Sequence, residues 1–168
     1  MASAQTEVMV RNGNSAREPK NRRSPKFVVL SREDAESYEP RGEEICISIS
    51  DPNAEPASVS PRFASVLRLY FNDVVERGEP SDILFGPEHA RAIKGFLEEW
   101  PQVERIVVHC NMGVSRSPGV ALGLCDLRGW ATAELERAHP GWNRLVRAVM
   151  NQLADEKGEA IPVTDSTP

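Results

Sequence analysis

Hydrophobic and polar positions alternate along this chain with two periods. KFVVL (26–30) is a short β-rich run, and EICISIS (44–50) places Ile45, Ile47 and Ile49 at every second position, the spacing of a strand. VLRLYF (66–71) predicts a third strand. RIVVH (105–109) holds a continuous apolar run, Ile106 to Val108, as in a strand covered on both faces. Elsewhere the period lengthens. In GPEHARAIKGFLEEWP, Pro87 suits a first helical turn, Ile93, Phe96, Leu97 and Trp100 fall on one helical face, and Pro101 stops the run. SPGVALGLCDLRG is apolar nearly all round and ends at Gly129, which predicts a buried helix. ATAELERAH (131–139) fits a short helix, and Trp142, Leu145, Val146, Val149 and Leu153 make a last core-facing stripe. Strands alternating with helices predict a single α/β domain with a central, mostly parallel sheet of about four to five strands flanked by helices.

Composition narrows the class. A chain of 168 residues fits one domain with one core. No apolar run reaches the roughly 18 residues of a membrane helix, so no membrane partner is expected. MASAQTEVMVRNGNSAREPK has no apolar stretch behind a basic cluster, unlike a secretory signal, and a cytoplasmic location is expected. Cys46, Cys110 and Cys125, odd in number and widely spaced, read as free thiols. Charge is unevenly placed: up to Lys26 six Lys or Arg face two Glu, a balance of +4, which leaves −9 for the rest of a chain whose net charge is −5. An acidic body is a poor footprint for nucleic acid, and none is expected as a partner. The basic arm (1–25) is expected to be a disordered tail, residues 26–155 the folded domain, and 156–168 a second disordered tail.

One segment carries chemistry. HCNMGVSRSP (109–118) lies between the strand at 105–109 and the buried helix, where ligands bind in α/β sheets. From ordinary residue frequencies, H-C-x-x-G-x-x-R-[S/T] should arise by chance in such a chain on the order of once in 10⁴ to 10⁵. A turn through Asn111, Met112, Gly113, Val114 and Ser115 to Arg116 can aim its amides inward, and the following helix adds its positive end, making an oxyanion site. Gly113 permits a tight turn or a close approach. Arg116 offers a planar fork for two phosphate oxygens. A thiol in such a field ionises between roughly 3.5 and 7.5 rather than near 8.5, which makes Cys110 the expected nucleophile. Ser117 is expected to cap the helix that Pro118 opens, or to stabilise the thiolate as it leaves. His109, on the strand edge, is expected to orient the loop by hydrogen bonds.

At these residues the chain resembles the cysteine-dependent protein tyrosine phosphatases, whose signature is H-C-x5-R-[S/T]; the Gly-Val-Ser-Arg-Ser ending is similar to the dual-specificity branch. The likeness extends more loosely from about Lys26 to Asp155. It implies a phosphocysteine intermediate, an aspartic general acid on an upstream loop, and neither metal nor other cofactor. Two aspartates qualify. Asp73 follows the strand ending at Phe71 and is favoured, because leaving the strand's carboxyl end carries it over the pocket; Asp82, in PSDILFG, is the alternative. Asn143 falls where related phosphatases often carry an asparagine that braces the loop, although helix starts commonly carry one. Cys125 lies too far along its helix to pair with Cys110, whereas Cys46, on a nearby strand, could protect an oxidised Cys110 as a disulfide. The expected partner is a phosphorylated protein, with phosphotyrosine in a shallow pocket and phosphoserine or phosphothreonine also open. Two other readings stay open: a phosphate-binding pseudophosphatase, and hydrolysis of phosphoinositides or RNA 5′-phosphates, which the acidic body disfavours.

Overall fold

The computed structural model describes residues 6–10 and 24–155, with no side-chain detail for 6–10, 154 and 155. Its elements are β1 (Thr6–Val10), β2 (Lys26–Leu30), α1 (Arg32–Ser37), β3 (Glu44–Ser50), β4 (Ser65–Tyr70), α2 (Pro87–Glu98), β5 (Arg105–His109), α3 (Arg116–Arg128), α4 (Ala133–Ala138) and α5 (Arg144–Asp155). Five strands form one sheet in the order β1-β4-β3-β5-β2. The pairs β2 with β5, β5 with β3 and β3 with β4 are parallel; β1 joins the free edge of β4 antiparallel. This is an α/β domain of the expected kind.

Strand alternation assigns the two faces. Ile45, Ile47 and Ile49 of β3, with Leu67, Leu69, Ile106 and Val108 of its neighbours, form the main core with α2, α3 and α5. A fully buried Ile or Leu is stabilised by about 1.5–3 kcal/mol over an exposed one, so this face fixes how the helices sit. The opposite face carries Cys46, Val66, Val107 and Phe63 in a smaller cluster, with Tyr38 and Val59 packed on it. β5 is buried on both faces, as its unbroken apolar run requires.

Two elements depart from the expectation. Thr6–Val10 lies within the arm expected to be disordered, yet it pairs with β4 from Thr6 opposite Leu69 to Val10 opposite Ser65. The reason is local: TEVMV is β-prone within an otherwise polar arm, and β4 would otherwise end the sheet with unpaired backbone groups. Of the two expected tails, residues 1–5, 11–23 and 156–168 lie outside the described residues. α1 was not foreseen, because Ala35 is its one buried residue and no apolar stripe announces it. It starts at a cap: the Ser31 hydroxyl accepts the Asp34 N–H at 3.1 Å and donates to Asp34 Oδ2 at 2.8 Å.

The helix pair α3/α5 sets the site's geometry. A Cβ on Gly119 would lie 3.0 Å from Asn143 O, and one on Gly123 would lie 2.6 Å from Met150 Cβ. The glycines therefore let α5 dock close, with Asn143 beside the start of α3. No helix among the described residues is long and apolar enough to cross a membrane.

Candidate active site

Parallel pairing brings the carboxyl ends of β2, β3, β4 and β5 to one edge of the sheet, with Ser31, Asp51, Phe71 to Asp73, and Cys110 to Ser115 just beyond them. The 110–116 segment turns there into α3. Gly113 has φ 71°, and a Cβ on it would stand 2.7 Å from the backbone of Leu30 and Ser31. Both facts require glycine: the left-handed turn and the contact with the end of β2. The Arg32 N–H also donates to Asn111 O at 3.0 Å, tying the loop to the start of α1.

The Cys110 sulfur sits inside this loop, with the residue only 2% exposed. Its Sγ accepts the Gly113 N–H at 3.3 Å and lies 3.1 Å from Ser117 Oγ. Ser117 is the second residue of α3, so it does not cap that helix; Ser115 occupies the cap position, and its hydroxyl is used elsewhere. Asn111, Met112 and Val114 are exposed, with Met112 at 74% and Val114 at 56%, while Ser115 is half-buried.

Arg116 is buried at 3% exposure, and its two edges are used differently. Nη1 donates to Asp51 Oδ1 at 2.7 Å and to Phe71 O at 2.8 Å. Nε is buried without a partner. One side of the fork is thus committed to the protein, and its Nε edge is the one left for an anion. Asp51 also accepts from Asn111 Nδ2 at 2.7 Å on its second oxygen, so a single carboxylate braces the arginine and the loop together. Sequence reasoning missed Asp51: nothing in DPN marks it, and only the β3–β5 register carries it to a residue 65 positions away.

His109 ends β5, is fully buried, and faces the smaller cluster rather than the pocket. Its Nε2 is 2.7 Å from Ser48 Oγ on the paired strand, and Nδ1 is 3.5 Å from Cys110 O. Burial pushes its pKa down to about 4; Arg68 and Arg32 add to this and the Cys110 carbonyl opposes it. It is a neutral ring at the root of the loop.

The two candidate acids separate cleanly. Asp73 Oδ1 accepts the Ser115 hydroxyl at 2.7 Å and Asn143 Nδ2 at 2.9 Å, which places this carboxyl against the loop. Asp82 Oδ2 instead accepts the backbone N–H groups of Gly78 and Glu79 at 2.9 and 2.7 Å, shaping its own turn. The ends of that 72–83 segment are pinned by two bonds between Asn72 and Ile83. Besides holding Asp73, Asn143 accepts the Val146 N–H on its Oδ1 at 3.1 Å as a cap for α5, and its backbone N–H donates to Ser115 O at 2.9 Å. An open cleft of about 600 Å³ adjoins this group, walled by Val74, Val75 and Trp142 and sharing Asp73, Ser115 and Asn143 with the site.

No family model matches the chain, and no curated protein matches it. Among solved structures it is similar to the crystal structure of Tk-PTP in the active form, at 16% identity over 77% of this chain and 90% of that one, with TM-score 0.49. It is also similar to PTPMT1 in complex with PI(5)P, at 17% identity over 68% of this chain and 78% of that one, with TM-score 0.45.

The other cysteines stand apart. Cys46 is paired in register with Val107, three positions before Cys110, and at about 3.3 Å per residue the separation is about 10 Å. That exceeds the span of a disulfide, and burial raises the Cys46 thiol to about 12, so the protective bridge is not built into this fold. Cys125 is held up to about 11 by burial and by Asp126. Among the described residues no three His, Cys, Asp or Glu side chains are grouped to hold a metal ion.

Proposed function

We propose that this protein hydrolyses phosphate monoesters through a phosphocysteine. The observation that carries the reading is the pairing of Arg116 and Cys110: a buried guanidinium with an unpartnered Nε, beside a buried sulfur at the N-terminus of α3. A buried cation with unused donor capacity suits an oxyanion, and the sulfur lies where it can attack one.

The roles follow from the geometry. The Cys110 thiolate attacks phosphorus in line, and the bond from phosphorus to the leaving oxygen breaks. That oxygen takes a proton from Asp73, which Ser115 and Asn143 hold against the loop. Water then attacks the phosphocysteine and gives its proton to the Asp73 carboxylate, while the sulfur–phosphorus bond breaks to release inorganic phosphate. The Gly113 N–H and Ser117 hydroxyl stabilise the departing thiolate. His109 and Asp51 position the loop and the arginine. The apolar walls beside Asp73 favour an aryl leaving group, and the physiological substrate is a phosphotyrosine protein.

The test is turnover of an aryl phosphate in the presence of EDTA. Cys110→Ser should abolish turnover and keep phosphate binding. Asp73→Asn should cost roughly 10² to 10⁴ in rate, with Asp82→Asn near wild type. Loss of activity on chelation, or full activity in Cys110→Ser, sinks the reading.

A further inference from the structure

The proton donor fixes where the rest of the substrate must lie. If Asp73 protonates the leaving oxygen, the carbon skeleton on that oxygen sits beside Asp73, over the cleft of about 600 Å³ walled by Val74, Val75 and Trp142. Val75 gives an apolar side chain to solvent at 57% exposure, although burial would be its usual preference. Trp142 is half-buried in the turn before α5.

The indole is held by charge. The Arg147 guanidinium lies 5.4 Å from its ring centroid, a cation–π contact. Arg147 is itself fixed, with Nε and Nη2 donating to Asp126 at 2.7 and 3.1 Å and Nη1 to Glu136 at 2.7 Å. These bonds join α3, α4 and α5 behind the ring. A ring fixed in advance loses little freedom when a ligand stacks on it, which is the condition for selective rather than merely greasy recognition.

We propose that Trp142 is the specificity-determining residue of this site. It stacks on the planar leaving group of an aryl monoester, and Arg147 is its positioning residue. The proposal rests on the phosphohydrolase reading above, and its experiment separates the two. KM and kcat for phenyl phosphate are measured with the full chain, together with the competitive inhibition constant of inorganic phosphate, which has no ring.

Trp142→Ala should raise KM for phenyl phosphate roughly tenfold and leave phosphate inhibition and kcat within about twofold. Trp142→Phe, which keeps a ring, should restore most of the loss. Arg147→Met should raise KM less, and the double variant should be no worse than Trp142→Ala alone, because Arg147 acts through the indole. In full-length Cys110→Ser, phenyl phosphate should change tryptophan emission, and Trp142→Phe should remove that change, which keeps the test open if Trp142→Ala fails to fold. A wild-type protein that turns over no aryl phosphate removes the phosphohydrolase reading and this proposal with it. An active wild type whose KM is unmoved in Trp142→Ala, or whose KM and phosphate inhibition constant rise together, overturns the proposal alone.

Discussion

The Cys110 sulfur is both attacker and leaving group in the proposed reaction, and its two neighbours serve the second role. A hydrogen bond to a charged group is worth about 1.5–3 kcal/mol, so removing the Ser117 hydroxyl should slow phosphocysteine breakdown by roughly 10 to 100-fold. Ser117→Ala is therefore expected to give a burst of phenol followed by a slow steady state in rapid-mix kinetics. Equal loss in burst and steady state would place Ser117 in folding of the loop instead. At this scale much of the site could be read from sequence. HCNMGVSRS announces a thiol, a tight turn and a guanidinium within nine positions, because a continuous loop writes its chemistry contiguously. Asp51 could not be read, since it contributes a brace whose meaning depends on strand order. Ser115 was expected only to line the anion, but its hydroxyl reaches Asp73, a direction that spacing does not encode.

Among the elements, β5 carries the consequence most open to measurement. Its last residue, His109, is buried on the face away from the pocket and bonded to Ser48 of β3. Burial lowers its pKa to about 4, against about 6.5 in the unfolded chain. Folding thus favours the neutral ring; Glu36 and the Cys110 carbonyl pull the other way, without prevailing. Stability is full above about pH 6.5 and falls as pH drops toward 4, by about 3 kcal/mol if this site acts alone. Urea melts at pH 7 and pH 4.5 should show most of that loss, and His109→Gln, which cannot titrate there, should flatten it. β3, β4 and β5 were legible because burial on both faces selects unbroken or alternating apolar runs. α1 was not, because a short helix with one buried alanine leaves capping as its only mark, and Ser-x-x-Asp is common in loops.

Across the whole molecule, the site exists only where four strand ends and three helix starts converge. β1 lies at the far edge of that sheet and closes β4 on its outer side. Deleting residues 1–10 should leave β4 paired to β3 alone, so that the β4 amides facing β1 exchange faster with solvent while those facing β3 stay protected. Uniform protection along β4 in the shortened chain would show that the edge strand adds nothing. The parallel order was legible as a class, since alternating strands and helices allow few arrangements; β1 was hidden by the charge of the arm around it. The link from Ser115 and Asn143 to Asp73 has a kinetic meaning at this scale. It fastens the segment after β4 to the loop after β5 and to the start of α5 before any substrate arrives. An acid already clasped in position leaves no lid to shut and little reorganisation to await. Turnover of a good leaving group should therefore be insensitive to solvent viscosity, with the chemical steps, rather than a closing motion, setting its pace.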